Sequence, residues 1–283
     1  MTELRGLDGK TAAVSVSWPC QIGLNVRQTV ATLLRRPRHN VAWPSAASVA
    51  AGLVAIVGVG IASMVLLDGW AANAARRLPV GLIEASRYFT ELGKSGWFLW
   101  PAGVVLVVLA IFDAPAAPRF SRLVLAAVAV RLGFVFTAIA VPGLLTNVLK
   151  RVIGRARPFV RGDDVWAYVP FSWPAAYASL PSGHATAAFS ALVAIGALYP
   201  RARAVLWVYA ILIAFTRVAV SAHYPSDVLA GAVVGTVGAL VVRNWFAARR
   251  LAFRVGGDGL VTPMPGPGAR RTVKAVARWL SSD

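Results

Sequence analysis

Apolar runs divide this chain into segments, each bounded by charged or Pro/Gly-rich stretches. A helix crossing a bilayer needs about 20 apolar residues. Six runs are read as spans: Ser45–Leu67, Gly96–Phe112, Arg122–Leu149, Ser182–Tyr199, Ala204–Val220 and Ser226–Ala247. Trp97 and Trp100 open the second run, as expected at a membrane interface. The third is long for a bilayer, so its last turns should project into water. Pro142-Gly143 predicts a kink within it. Between the first two spans, Leu78, Leu82, Ala85 and Phe89 recur at helical spacing opposite Arg77, Glu84 and Glu91. That pattern fits either an interfacial helix against the bundle or a loop. Asp113–Arg119 and Pro200–Arg203 read as short turns, and residues 151–180 as a loop rich in Arg, Asp, Trp, Tyr and Pro.

The predicted fold is thus all-α, a polytopic membrane protein with six transmembrane helices. Residues 1–44 form a cytoplasmic N-terminal tail, with Val26–Leu34 a weak amphipathic segment. Residues 45–250 form the six-helix domain. Residues 251–283 form a cytoplasmic basic tail, expected to be largely disordered or surface-lying, with a Gly/Pro-rich linker at Val255–Gly268. The first 40 residues are polar, and no cleavable signal peptide is expected.

Composition agrees. Of 283 residues 58% are hydrophobic and only 14% charged, where a soluble domain carries about a quarter charged residues. The formal net charge of +18 fits positive-inside topology and attraction to a bilayer with anionic lipids. The basic residues flank apolar spans and form no DNA-binding pattern, so no nucleic-acid partner is expected. Cys20 is the single cysteine, which excludes an internal disulfide and a cysteine-based metal site.

Three short segments carry the chemistry: Lys150-x6-Arg157-Pro158, Pro181-Ser182-Gly183-His184, and Thr216-Arg217-x5-His223-x3-Asp227. In the six-span order all three fall on one face of the membrane. Lys150 and Arg157 are two turns apart on a continuing helix, which Pro158 then stops; with Arg151, Arg155 and Arg161 nearby, they form either a phosphate clamp or a basic cluster for lipid headgroups. Ser182 and Gly183 open a helix whose free N–H groups suit an anion, with simple N-capping the other role open to Ser182. Arg217 near a helix end in lipid must face a cavity or partner. Pro225 places His223 in an entry loop and Asp227 in the first helical turn. There Asp227 either orients the imidazole or only complements the helix dipole. Arg131, deep in the third span, also needs a partner, whether another part of the protein or a substrate.

These segments resemble the three-part signature of the type 2 phosphatidic acid phosphatase (PAP2) superfamily, Lys-x6-Arg-Pro, Pro-Ser-Gly-His and Ser-Arg-x5-His-x3-Asp. The one departure is Thr216 for Ser. The resemblance covers about Ser45 to Ala247 and points to the membrane branch, since the apolar spans disfavour the soluble vanadate-dependent haloperoxidases. It implies that His223 attacks phosphorus, Asp227 orients His223, and His184 protonates the leaving oxygen and then activates water. It further implies that Lys150, Arg157, Ser182, Gly183 and Arg217 bind the substrate phosphate, with no metal and no cofactor. The implied activity is hydrolysis of a lipid phosphate (phosphatidylglycerol phosphate, phosphatidic acid or lipid A phosphate), the substrate partner. Undecaprenyl diphosphate is an alternative substrate, and a non-catalytic phospholipid-binding or transport protein is the alternative from another class. The basic, acid-poor connections opposite the site place it on the periplasmic face of a bacterial inner membrane.

Overall fold

The computed structural model describes residues 34–111, 118–162 and 164–281, with Gly23, Arg27 and Ala31 besides. Cys20, most of Val26–Leu34, most of the turn at 113–119 and Asp163 lie outside the described residues.

Helix α1 (Ala46–Ser63) starts where the Ser45 hydroxyl accepts the Ser48 N–H at 3.1 Å. It continues through a π-helical turn, Met64–Asp68, into α2 (Gly69–Arg76). Next come α3 (Val80–Glu91) and α4 (Gly96–Ile111). Helix α5 (Arg119–Ile153) carries Pro142 within one continuous helix. It ends at Gly154, whose φ of +65° is the left-handed C-cap conformation that glycine adopts without steric cost. A short α6 (Pro158–Arg161) follows, then α7 (Gly183–Leu198), α8 (Arg203–Ala219) and α9 (Pro225–Ala248).

Among the described residues, five helical stretches are long and apolar enough to cross a membrane: Ala46–Arg76, Val80–Ile111, Arg119–Ile153, Pro200–Ala219 and Pro225–Ala248. The expected fourth span, α7, is apolar but has only 16 residues, about 24 Å of helix against a hydrocarbon core of about 30 Å. The protein is thus a helical integral membrane protein with these five stretches around a short, central α7. The segment expected to be an interfacial helix or a loop is α2 and α3, and α3 packs into the bundle. Its Thr90 hydroxyl accepts from Arg217 at 2.6 Å, and just beyond it the Leu92 carbonyl accepts from the Tyr209 hydroxyl of α8 at 2.9 Å. Leu82 and Phe89 are exposed rather than packed on the bundle.

Helix α7 is enclosed by α5, α8 and α9, and α9 comes closest. Glycine permits that approach: a Cβ on Gly231 would lie 2.4 Å from the Ser182 carbonyl oxygen, and one on Gly235 2.4 Å from that of Thr186. The GxxxG spacing of small residues is a known route to close helix packing in lipid. Across α5 and α7, the buried Thr146 and Thr186 hydroxyls hydrogen-bond at 3.0 Å.

At the other end, Phe134, Phe246 and Phe253 pack edge to face, with centroids 5.3 and 4.8 Å from Phe134. Phe253 belongs to the C-terminal segment, where the expectation of a largely disordered tail needs correction. Strands β1 (Phe253–Val255) and β2 (Val261–Pro263) form an antiparallel hairpin, and α10 (Ala269–Leu280) packs on α5. The signal was legible: Phe253 is an apolar anchor, and Val273, Val276, Trp279 and Leu280 keep helical spacing. Arg131 finds its partners here, donating to the carbonyls of Ala127, Met264 and Pro265 at 2.8, 3.0 and 3.0 Å.

Gly235→Val should lower the thermal midpoint in detergent and cost about 1–3 kcal/mol, as overpacking does. Gly257→Val, where an added Cβ meets nothing within 4 Å, should leave the midpoint unchanged. Equal midpoints for both variants would show that α7 and α9 tolerate separation.

Candidate active site

All eight expected residues lie at one end of the bundle. Helix α5 delivers Lys150 in its last turn. The chain does not continue as helix to Arg157, as the seven-residue spacing suggested, because Gly154 turns it out of α5. Residues 154–157 are irregular instead, with Arg155 bridged to Tyr168 as an isolated antiparallel pair. A Cβ on Gly154 would collide with the Val169 carbonyl, so glycine is required both for its φ and for this approach. Arg157 precedes Pro158, which begins α6. Both Lys150 and Arg157 are half-buried rather than spread among headgroups.

Ser182 stands at the N-cap of α7, yet its side chain makes no capping bond. Its Oγ is buried and without a partner, as are Arg157 Nε and Arg217 Nε. Buried polar groups are nearly always hydrogen-bonded. Three unsatisfied donors from three different segments at the same end point to an acceptor-rich ligand. Lys150 reaches the same place: a Cβ on Gly183 would lie 3.3 Å from its Nζ. Lys150 feels the charges of Arg157, Arg217 and Asp227, and His184 those of Arg217, His223 and Lys150.

The turn between α8 and α9 holds His223 almost wholly out of solvent. Ser221 takes a positive φ of 53° there, and the His223 N–H donates to the Arg217 carbonyl at 3.2 Å. His223 Nδ1 faces Asp227 Oδ2 at 3.7 Å, longer than a hydrogen bond. The Ser179 hydroxyl sits between them, donating to Asp227 Oδ2 at 2.5 Å and lying 3.4 Å from His223 Nδ1. The imidazole's Nε2 is thereby turned away from the carboxylate. Burial lowers the His223 pKa to about 4, against the pull of Asp227 and with Arg217 and Arg157 helping to lower it. Asp227 also fills the ordinary helix-start role, accepting the Tyr224 N–H at 2.9 Å.

Several participants escaped the sequence analysis. Arg155, read only as part of a basic cluster, is fully buried and bonded to Asp227 at 2.7 Å and to Asp68 at 2.8 Å. Asp68 and Ser179 carried no pattern of their own. Thr90 holds Arg217, and Gly93 presses on His184, where an added Cβ would lie 3.0 Å from the ring's Cδ2. Thr216, the departure from the resembled signature, donates its hydroxyl to the Ile213 carbonyl of its own helix at 2.8 Å; a serine makes the same bond, so the exchange is neutral for the site. A cleft of about 300 Å³ lined by Ala72, Arg76, Pro158, Phe159, Gly162 and Ser221 flanks this end, but none of the eight residues lines it. Among the described residues, no group of three or more His, Cys, Asp or Glu side chains is placed to hold a metal ion.

Comparison with known proteins identifies the family. The model of the PAP2 superfamily matches residues 131–251, which hold all eight residues. A lipid A 1-phosphatase from Rhizobium etli is 35% identical over 203 residues, 70% of this chain and 84% of that protein. A decaprenylphosphoryl-5-phosphoribose phosphatase from Mycobacterium tuberculosis is 33% identical over 57% of this chain and 79% of its own length. Among solved structures, a transmembrane PAP2-type phosphatidylglycerolphosphate phosphatase from Bacillus subtilis aligns with a TM-score of 0.48 at 20% identity, covering 68% of this chain and 94% of that one. On the extent and identity of the match to the Rhizobium protein, the chain belongs to the PAP2 superfamily, in its branch of membrane lipid phosphate phosphatases.

Proposed function

We propose that the protein hydrolyses the phosphomonoester of a lipid phosphate through a phosphohistidine at His223, without a metal. The observation that carries this reading is the set of unsatisfied buried donors on Arg157, Ser182 and Arg217, gathered beside an imidazole whose Nδ1 is turned to a carboxylate. Donors aimed where charge develops are the main resource of metal-free phosphoryl transfer.

In this mechanism Lys150, Arg157, Arg217, Ser182 and the Gly183 backbone hold the phosphoryl oxygens. His223 Nε2 attacks phosphorus as the bond to the lipid oxygen breaks, and His184 gives that oxygen a proton. His184 then takes a proton from water, which attacks phosphorus and breaks the P–N bond, releasing phosphate. Asp227 fixes the His223 tautomer and balances the positive charge of the phosphorylated ring. Its 3.7 Å separation would shorten in the loaded site, since such bonds are often long without substrate.

Lipid A phosphate is the first substrate to test, because the Rhizobium relative is a lipid A 1-phosphatase. Phosphatidylglycerol phosphate and phosphatidic acid carry the same monoester. A polyprenyl substrate such as undecaprenyl diphosphate is the second reading, favoured by the relative named for a decaprenyl-linked phosphate. Exposed Trp166, Phe171 and Trp173 in the 151–180 loop would sit among headgroups. Arg119, Arg122, Arg201, Arg203, Arg249 and Arg250 at the opposite end support a cytoplasmic placement there, with the site on the periplasmic face of a bacterial inner membrane.

Wild type in detergent with EDTA should release phosphate from one of these lipids, and His223→Ala should lose at least about 10³-fold in kcat, as removal of a nucleophile does. Acid-labile label from the lipid phosphate should appear on wild type and not on His223→Ala. Full activity in His223→Ala would sink the mechanism.

A second expectation concerns pH. With three histidines in the chain, nitrogen-labelled histidine NMR should resolve His223, assigned by its loss in His223→Ala. It should titrate near 4 rather than near 6.5. Because the folded value is the lower one, the unfolded chain takes up the proton first. The group therefore costs stability as pH falls from 6.5 toward 4, and contributes no pH dependence above 6.5. A titration at 6.5 would show that the ring is solvated.

A further inference from the structure

Asp68 lies in the first span, 82 residues before Lys150 in the chain, and has no place in the three segments. It is nonetheless fully buried at the site end. It ends the π-helical turn Met64–Asp68, a local irregularity frequent at functional sites. Its Oδ1 accepts the Ser226 N–H at 3.0 Å, and its Oδ2 accepts the Ser226 hydroxyl at 2.5 Å and Arg155 Nη2 at 2.8 Å.

Arg155 has no donor left for a substrate. Nη1 donates to Asp227 Oδ1 and to Ser226 Oγ, both at 2.7 Å. Nη2 donates to Asp68 and, at 3.0 Å, to the Val165 carbonyl, which also accepts Nε at 3.2 Å. A guanidinium has five N–H bonds, and these contacts use all five. The Tyr224 ring covers it, 4.4 Å from the centroid. Burial works against its charge, but Asp227 and the Asp68 hydrogen bond outweigh this and raise its pKa.

We infer that Asp68 and Arg155 are positioning residues for the phosphoryl-transfer step: Asp68 shares the Arg155 guanidinium with Asp227, so that Asp227 is held in place yet keeps negative charge for His223. The inference rests on the phosphohistidine reading above. Two carboxylates and one guanidinium leave the buried cluster at −1. A lone Arg155–Asp227 pair would be neutral and would offer His223 a dipole rather than a charge. Buried ion networks are poor stabilisers compared with apolar packing, so rigidity alone is a weak reason for this one.

Other charges face His223 from the surrounding elements. They are Arg157 from the turn after α5, His184 from α7 and Arg217 from α8, the last itself influenced by Glu91 of α3. None of them is altered by the test, which changes the cluster charge in three steps. Asp68→Asn takes it to 0, Arg155→Gln to −2, and the double variant back to −1. By NMR, Asp68→Asn should lower the His223 titration, Arg155→Gln should raise it by about one pH unit or more, and the double variant should return it close to wild type. Asp68→Asn should also lower kcat about tenfold, in the range seen for lost supporting contacts, with KM within about threefold.

A merely structural strut predicts damage of one sign in every variant. Shifts of one sign, or no shift, would overturn the inference. Asp68→Asn keeps the side chain's size but turns one of its two acceptor oxygens into a donor, so it is read by the sign of the His223 shift and not by kcat alone. It decides the question even where Arg155→Gln does not fold: an unmoved titration with unchanged kcat rejects the role of Asp68. The two readings fail separately. Activity retained in His223→Ala removes the phosphohistidine mechanism, whereas an inactive His223→Ala beside an unshifted Asp68→Asn removes only the role of Asp68 and Arg155.

Discussion

The site depends on how closely α7 and α9 approach. The Ser182 N–H donates to the Asp227 carbonyl at 2.9 Å, which ties the start of one helix to the first turn of the other. Gly231 and Gly235 let the two backbones meet below that bond, and Gly238 gives the same room to Pro142 of α5. Side chains at these positions would separate the helices and draw Ser182 and Gly183 away from His223. Register here is set by main chain against main chain, which is more rigid than any side-chain bridge.

That rigidity is needed because the site gathers like charges in a poorly solvated place. Lys150, Arg157 and Arg217 converge with few acids to offset them, and cations near lipid are costly. The structure separates two kinds of cation. Arg155 is matched by two carboxylates and uses every donor within the protein. Arg157 and Arg217 keep unsatisfied Nε groups, and Arg217 donates to the neutral Thr90 hydroxyl. A protein that neutralised those two internally would fold more readily and bind phosphate less well. Their incomplete satisfaction sets them apart from Arg155.

The chain itself displayed this division only in part. The three segments announced themselves because catalysis and helix starts both leave short-range patterns: Pro225 before a helix, Gly183 at a helix entry, His223 four residues from Asp227. Spans were legible from apolar runs, although α7 is shorter than a bilayer crossing and α3 is a bundle helix. The supporting shell was not legible. Asp68 and Thr90 meet Arg155 and Arg217 across 87 and 127 residues of chain, and a lone Asp ending an apolar run gives no sign of its partner. Arg157 shows the limit of spacing arguments. It reaches the site, but by the left-handed exit at Gly154 and not along two further turns of α5.

The far end obeys the same physics. Helix α5 has 35 residues, about 52 Å at 1.5 Å per residue, well beyond a hydrocarbon core of about 30 Å. Helix α10 packs on α5 at the end away from Lys150. Arg131 bonds Met264 and Pro265, and Arg278 lies over Phe120. Helix α10 therefore runs antiparallel along the first turns of α5, its 12 residues spanning about the same 18 Å as the segment it covers. Its Ala275 is buried there, while Arg270, Arg271 and Lys274 are exposed. Without α10 that face of α5 would be uncovered. The tail folds because it has that face to cover, which is why a basic, Gly/Pro-rich composition was a poor guide to its order.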